Sequence, residues 1–347
     1  MIKWIRVIST NFWHFFLIRI MFFNFINLSV ISRSEEIIWD DQGITKEKTE
    51  ERKSEKSRHI LEFVTKWGSQ GPGIGQFFHP SGVTVDRSRY IYVVDTGNQR
   101  IQKFKSNGAF VEKWGTYGSS NGQFRGPIGT IVSSSGYLYV ADVDNDRIQK
   151  FTSKGGFIAK WGSQGSGDGQ FDFVRGITID SSGYLYITDA NNHRIQKFKS
   201  GGEFATKWGS KGSEAGKFYF PHGIAVDSDG YVYVADTDNH RIQKFTSKGV
   251  FVTKWGSKGS GDGQFHGPRG IAIDSDGYVY VTDARNHRIQ KFKSNGAFIA
   301  KWGAQGSGNK QFNFPLGIAI DSNGYVYVAD TDNHRIQKFR TWQKEKS

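Results

Sequence analysis

From residue 61 onward, apolar and polar positions alternate with a period of two in runs of five or six residues. Each run stops at a cluster of Gly, Asn, Asp or Ser. This alternation predicts half-buried β-strands closed by turns. Four such runs follow one another at Gly223–Asp227, Tyr231–Asp236, Arg241–Phe245 and Phe251–Trp255. The segments between them, Ser-Asp-Gly, Thr-Asp-Asn-His and Thr-Ser-Lys-Gly, are short enough to make antiparallel hairpins. A long Gly-rich loop then leads to the next set. One unit therefore predicts a four-stranded antiparallel sheet.

The unit recurs. Arg-Ile-Gln-Lys-Phe begins at Arg100, Arg147, Arg194, Arg241, Arg288 and Arg335, with a constant step of 47 residues. Trp67, Trp114, Trp161, Trp208, Trp255 and Trp302 keep the same step. Six sheets at a period in the forties predict an all-β, six-bladed β-propeller. The frame is offset: the chain enters on a lone fourth strand, Phe63–Trp67, and leaves after a third strand, Arg335–Phe339. The last blade should therefore take three strands from one end and one from the other, which closes the ring and hides two sheet edges. Residues 61–67 are expected to be essential for that closure.

Strand alternation also predicts the packing. Tyr231 and Tyr233 share one face of their strand, while Val232 and Val234 share the other. Phe251 and Trp255 align opposite Val252. Aromatic and aliphatic faces should stack blade on blade, and twelve of the fourteen Tyr lie in these columns. They read as core rather than as a stacking surface for bases. Asp95, Asp142, Asp189, Asp236, Asp283 and Asp330, with the Asn three residues on, read as caps of the turn that follows. The Phe of each Gln-Phe or Lys-Phe pair, Phe77 to Phe312, reads as an anchor for the long loop.

Composition narrows the chemistry. The chain has no cysteine, so disulfides, thiolate metal sites and Cys nucleophiles are excluded. Net charge is +13; residues 1–60 hold 10 Lys/Arg and 8 Asp/Glu, leaving 36 against 25 for the rest. Such a surface favours anionic partners, although repetition of a solvated Lys would produce the same balance. Lys3 and Arg6 precede a stretch rich in Phe, Ile, Leu and Trp that runs to Ile31, interrupted by Arg19. Residues 1–32 read as a signal peptide or membrane anchor. With Glu35, Glu36, Asp40 and Asp41 following, the remainder is expected outside the cytoplasm. Residues 33–60 read as a charged linker, 61–340 as the propeller and 341–347 as a tail.

The fourth unit resembles the NHL-repeat family over Pro221–Asp227, Tyr233–Asp236 and Asn239–Gln243. The resemblance recurs in all six units, across residues 61–340. It implies a six-bladed propeller, and it implies functions ranging from RNA or protein binding to a zinc-dependent amidating lyase. Phe220-Pro221-His222-Gly223 is similar to a zinc-ligating loop of that lyase, but the other five units lack the Pro-His-Gly sequence.

Near-identical repeats disfavour catalysis, which needs unlike residues converging on one point. Function is sought where the copies differ. The position before the first-strand Gly reads Ser81, Ile128, Arg175, His222, Arg269 and Leu316, and chain direction places it near the channel mouth. The position before the repeated Arg reads Gln99, Asp146, His193, His240, His287 and His334. Two residues earlier stand Gly97, Asp144, Asn191, Asp238, Arg285 and Asp332. Arg175, His222, Arg269, Arg285, His193, His240 and His287 thus form a candidate anion-binding patch on blades three to five. The expected function is a non-enzymatic, extracytoplasmic binding platform for a protein, glycan or other polyanion, with no cofactor or metal. An RNA-binding propeller and a lyase-like enzyme are the alternatives. The membrane is a partner only if the leader stays uncleaved.

Overall fold

A computed structural model describes residues 61–341; the leader and linker, with the orientation inferred from them, lie outside the described residues. Twenty-four strands form six four-stranded antiparallel sheets. In the fourth blade they are β14 (Pro221–Val226), β15 (Val232–Asp236), β16 (Arg241–Phe245) and β17 (Phe251–Trp255). The last blade is completed across the ends of the ring. Its order is β1 (Leu61–Trp67), β24 (Arg335–Thr341), β23 (Tyr325–Asp330) and β22 (Pro315–Ile320). Six residues of β1 pair with β24, from Leu61 opposite Thr341 to Trp67 opposite Ile336. The propeller thus runs one residue past the expected boundary.

The core lies between blades. Tyr233, Ala235 and Ile242 of the fourth blade pack against Ile271, Val279, Val281 and Phe292 of the fifth, with Trp255 at the margin. Tyr233 and Trp255 meet edge to face at 6.2 Å. The same arrangement joins blade six to blade one, where Tyr327, Ile336 and Trp67 meet Val83, Val93 and Phe104. Phe265, fully buried, anchors its loop against Phe292 at 5.5 Å.

The repeated Asp departs from the expected role. Asp236 is fully buried, and Oδ1 accepts from the Tyr219 amide of the preceding long loop at 2.7 Å, not from a backbone amide of the turn that follows. Its other oxygen accepts from Arg241 Nε at 2.7 Å and from Gln243 Nε2 at 3.0 Å, and Asn239 Nδ2 donates to both oxygens. Arg241 also donates to the carbonyls of Ser213, Glu214 and Lys217. Charge, guanidinium hydrogens and loop carbonyls are satisfied together, the condition under which a buried ion pair is tolerated. Every blade repeats this knot. It clamps the long loop to the sheet, which a local cap could not do.

A second correction concerns lysine. The Lys-Trp column (Lys113 in the first blade) is exposed, as expected for solvated charge. The Arg-Ile-Gln-Lys-Phe column is not: Lys244 is 8% exposed, lies 4.1 Å from the Tyr231 ring centre and 4.9 Å from that of Tyr233, and donates to Ser294 O of the next blade. Half of the repeated lysine charge is therefore inter-blade mortar.

Candidate anion-binding site at the channel mouth

Six first strands line the central channel, and each carries the same irregularity. In β14, Pro221 pairs with Asp236 and Ile224 with Val234, so His222 and Gly223 together face a single partner residue. This β-bulge re-aims the side chain at position 222. Equivalent bulges occur in the other five blades. The glycine of each bulge permits close blade contact. A Cβ on Gly223 would lie 1.9 Å from Arg269 O, and one on Gly317 would lie 2.3 Å from Ser81 O. Thr188 Oγ1 ties neighbouring bulges together, accepting from Gly176 N at 2.6 Å and donating to His222 O at 2.8 Å.

The bulges surround a cavity of about 80 Å³ lined by Ser81, Ile128, Arg175, His222 and Leu316, with the bulge glycines. Arg269 carries the adjoining position on blade five. His222 is 6% exposed, and its imidazole makes no hydrogen bond within the described residues. Burial, then the charges of Arg269 and Arg175, hold it well below the ordinary imidazole pKa, so it is neutral at pH 7. Arg175 is pushed down to about 9, first by burial and then by Arg269, and stays cationic at neutral pH. Burial likewise lowers Arg269.

Neither arginine has an ion-pair partner among the described residues, and the Nε of each is buried without a hydrogen bond. Asp144 and Asp238 favour the charged forms only at a distance. Aromatic rings supply part of the missing solvation. Arg175 lies 3.9 Å from the centre of the Phe173 ring and 5.7 Å from that of Phe220, and Arg269 lies 6.0 Å from that of Phe314.

These phenylalanines were not singled out from the sequence. All three occupy the left-handed region, at φ of 65°, 56° and 52°, as does His79. Gly126 and Gly267 fill the same column in the other two blades, also with positive φ. Glycine alternating with Phe at a fixed repeat position was the available signal: it marks a backbone that side chains adopt only when held there.

Arg175, His222 and Arg269 are therefore brought together. Arg285 stands on the exposed rim, close enough for its charge to bear on Arg269 and His240. His193, His240 and His287 sit at the seams between blades. Each Nδ1 accepts from a backbone amide of the next blade, Phe220, Gly267 or Phe314, at 3.1 Å. Gln99 Oε1 performs the same task toward Gly126 N at 2.7 Å. Burial lowers the pKa of His193 and His240, as a ring that accepts through Nδ1 requires. Within the described residues no group of three or more His, Asp or Glu could hold a metal ion. His222 stands between two cations, a poor environment for a zinc ligand.

Comparison with known proteins agrees with this architecture. The NHL repeat pattern matches residues 77–104, 171–198, 218–245, 265–292 and 312–339. In the second blade residues 127–147 match the LVIVD repeat instead. A 46-residue stretch is 48% identical to the E3 ubiquitin-protein ligase TRIM71 of Rattus norvegicus, covering 13% of this chain and 5% of that protein. Among solved structures, a protein of unknown function from Bacteroides thetaiotaomicron superposes with a TM-score of 0.62 at 18% identity, over 81% of this chain and 76% of the other. A streptogramin B lyase gives 0.56 at 17% identity, over 81% and 96%. A gluconolactonase from Xanthomonas campestris gives 0.58 at 12%, over 81% and 97%. At these identities the likeness concerns the fold alone. Five repeat matches, a shared blade plan and a closed ring of six sheets make the conclusion plain: the chain belongs to the NHL-repeat family of β-propellers.

Proposed function

We propose that the channel mouth on blades three to five binds an anionic group of a protein or glycan, so that the chain acts as an extracytoplasmic binding platform and not as an enzyme. The carrying observation is the pair Arg175 and Arg269, cationic, largely buried and without a carboxylate, on either side of neutral His222. Two unpaired buried charges are costly in an empty site, and a carboxylate or sulfate relieves that cost. The small cavity of about 80 Å³ between the bulges suits a single anionic head group. The basic leader ahead of the acidic residues 35–41 supports the extracytoplasmic placement, which protease accessibility in intact cells tests.

Binding is tested with fluorescent heparin and polyglutamate. Arg175→Glu with Arg269→Glu should abolish it, and Arg285→Glu on the rim should weaken it only a few-fold. Unchanged binding by the double variant refutes the site. A single-stranded RNA that outcompetes both probes, with steep salt dependence, favours the RNA-binding alternative.

A further inference from the structure

On the opposite face, the first hairpin of each blade begins with an acid, Asp86, Asp180, Asp227, Asp274 or Asp321, except in the second blade, where Ser133 stands. In the other five the carboxylate closes a small network. One oxygen accepts from a backbone amide four residues on, as in Asp227 with Tyr231 N at 2.8 Å. The second accepts from a tyrosine hydroxyl six residues on, as in Asp227 with Tyr233 Oη at 2.9 Å. In two of these blades the lysine reaches ion-pair distance as well, Lys244 at 3.9 Å and Lys291 at 3.8 Å from their acids.

The second blade keeps every donor and lacks the acceptor. Lys150 lies 4.4 Å from the centre of the Tyr137 ring with no carboxylate within ion-pair distance. Lys150 keeps the bond to a carbonyl of the next blade that Lys103, Lys197, Lys244 and Lys338 also make, here Ser200 O at 3.3 Å. Tyr139 Oη, without its carboxylate, turns to the same oxygen at 3.2 Å. Ser133 Oγ takes over only the Tyr137 amide, at 3.1 Å. Beside this gap lies a cavity of about 550 Å³, walled by Lys150, Tyr137, Tyr139 and the turns of blades one to three, with the hydroxyls of Ser134 and Ser182 on its rim. Asp86 and Asp180 also border it, but both already accept from Tyr92 or Tyr186 hydroxyls.

We propose that this cavity is a second ligand site, in which the carboxylate of a small hydroxylated acid occupies the place that an internal Asp fills in the other five blades. Tyr139 Oη and Lys150 Nζ donate to the carboxylate, and the rim serines meet its hydroxyl groups. The site is independent of the channel mouth, being built from different residues on the other face.

The test is saturation-transfer NMR on the full chain with glucuronate, acetate and glucose, together with a uronate-containing oligosaccharide. Glucuronate should bind more tightly than acetate, and glucose should give no signal. Signal from the oligosaccharide in place of the free acid identifies a glycan as the source. Ser133→Asp, which supplies the carboxylate internally, should fold and weaken glucuronate about tenfold or more. Tyr139→Phe should weaken it less and serves if the first variant does not fold. Arg175→Glu should leave it unchanged. No signal from either carboxylate source, equal signals from glucuronate and glucose, or undiminished binding by Ser133→Asp or Tyr139→Phe overturns the proposal.

Discussion

Two sets of arginines in this propeller teach opposite lessons. Arg241 and its five counterparts start the third strand of each blade, where the blade's own long loop wraps them. Every one is paired with a buried Asp and bonded to loop carbonyls. Arg175 and Arg269 occupy bulges of the first strand, where only neighbouring bulges and phenylalanine faces surround them. There the Nε groups go unpaired. The first set contributes to folding. The second lacks such partners, and on the proposed function its cost in stability is offset by a bound anion.

The comparison can be broken at several levels. The largest effect is expected from Arg241→Met, which strands Asp236 as an uncompensated buried charge. It should cost about 3–5 kcal/mol, read from urea unfolding; an unchanged midpoint would mean that the knot is not a stabilising unit. Gly223→Ala comes next. Its methyl would collide with Arg269 O, and relief by backbone movement should cost about 1–3 kcal/mol and loosen ligand binding at the mouth. Arg269→Met should do the reverse to stability, neutral or stabilising by about 1 kcal/mol, while eliminating anion binding. Loss of several kcal/mol there would place it with the structural arginines.

The smallest expected effect is pH-dependent. His193, His240 and His334 are held below their ordinary pKa, chiefly by burial, and His222 far below it. The unfolded chain then binds more protons than the folded one just below pH 6.5, so stability is complete above about 6.5 and falls as the pH drops. The urea midpoint should be lower at pH 5.5 than at 7.5. His193→Gln with His240→Gln should reduce the difference without lowering stability at pH 7.5, because Gln99 already makes the same bond in the first blade. A pH response undiminished in that variant would assign it wholly to other groups.

Much of the fold was legible because strand alternation and the 47-residue step are local properties. They indicated the hairpins, the split between Tyr231 with Tyr233 and Val232 with Val234, and the 3+1 closure. They did not show the bulge between Lys244 and Phe245, which sends Phe251 to the blade-three side and Trp255, expected on the same face, to the blade-five side. The role of Asp236 was misread for an equally physical reason. A carboxylate at a strand end has two competing backbone donors, one in the following turn and one seventeen residues back, and spacing alone favours the nearer. His193, His240 and His287 were grouped with the channel residues by type, yet Nδ1 geometry makes them seams between blades. Lys244 shared its charge with exposed lysines and none of their surroundings.

By itself, then, the sequence determined the ring: six equivalent sheets, their order and their closure, since a period-two pattern repeated six times admits one way of burying its apolar faces. Tertiary structure decided what each polar residue experiences. Identical arginines differ because hydrogen-bond partners are assigned by distance in space, and the bulges converge on an axis where each blade finds only other blades. Whether a charge is satisfied there depends on what the neighbouring copies happen to carry.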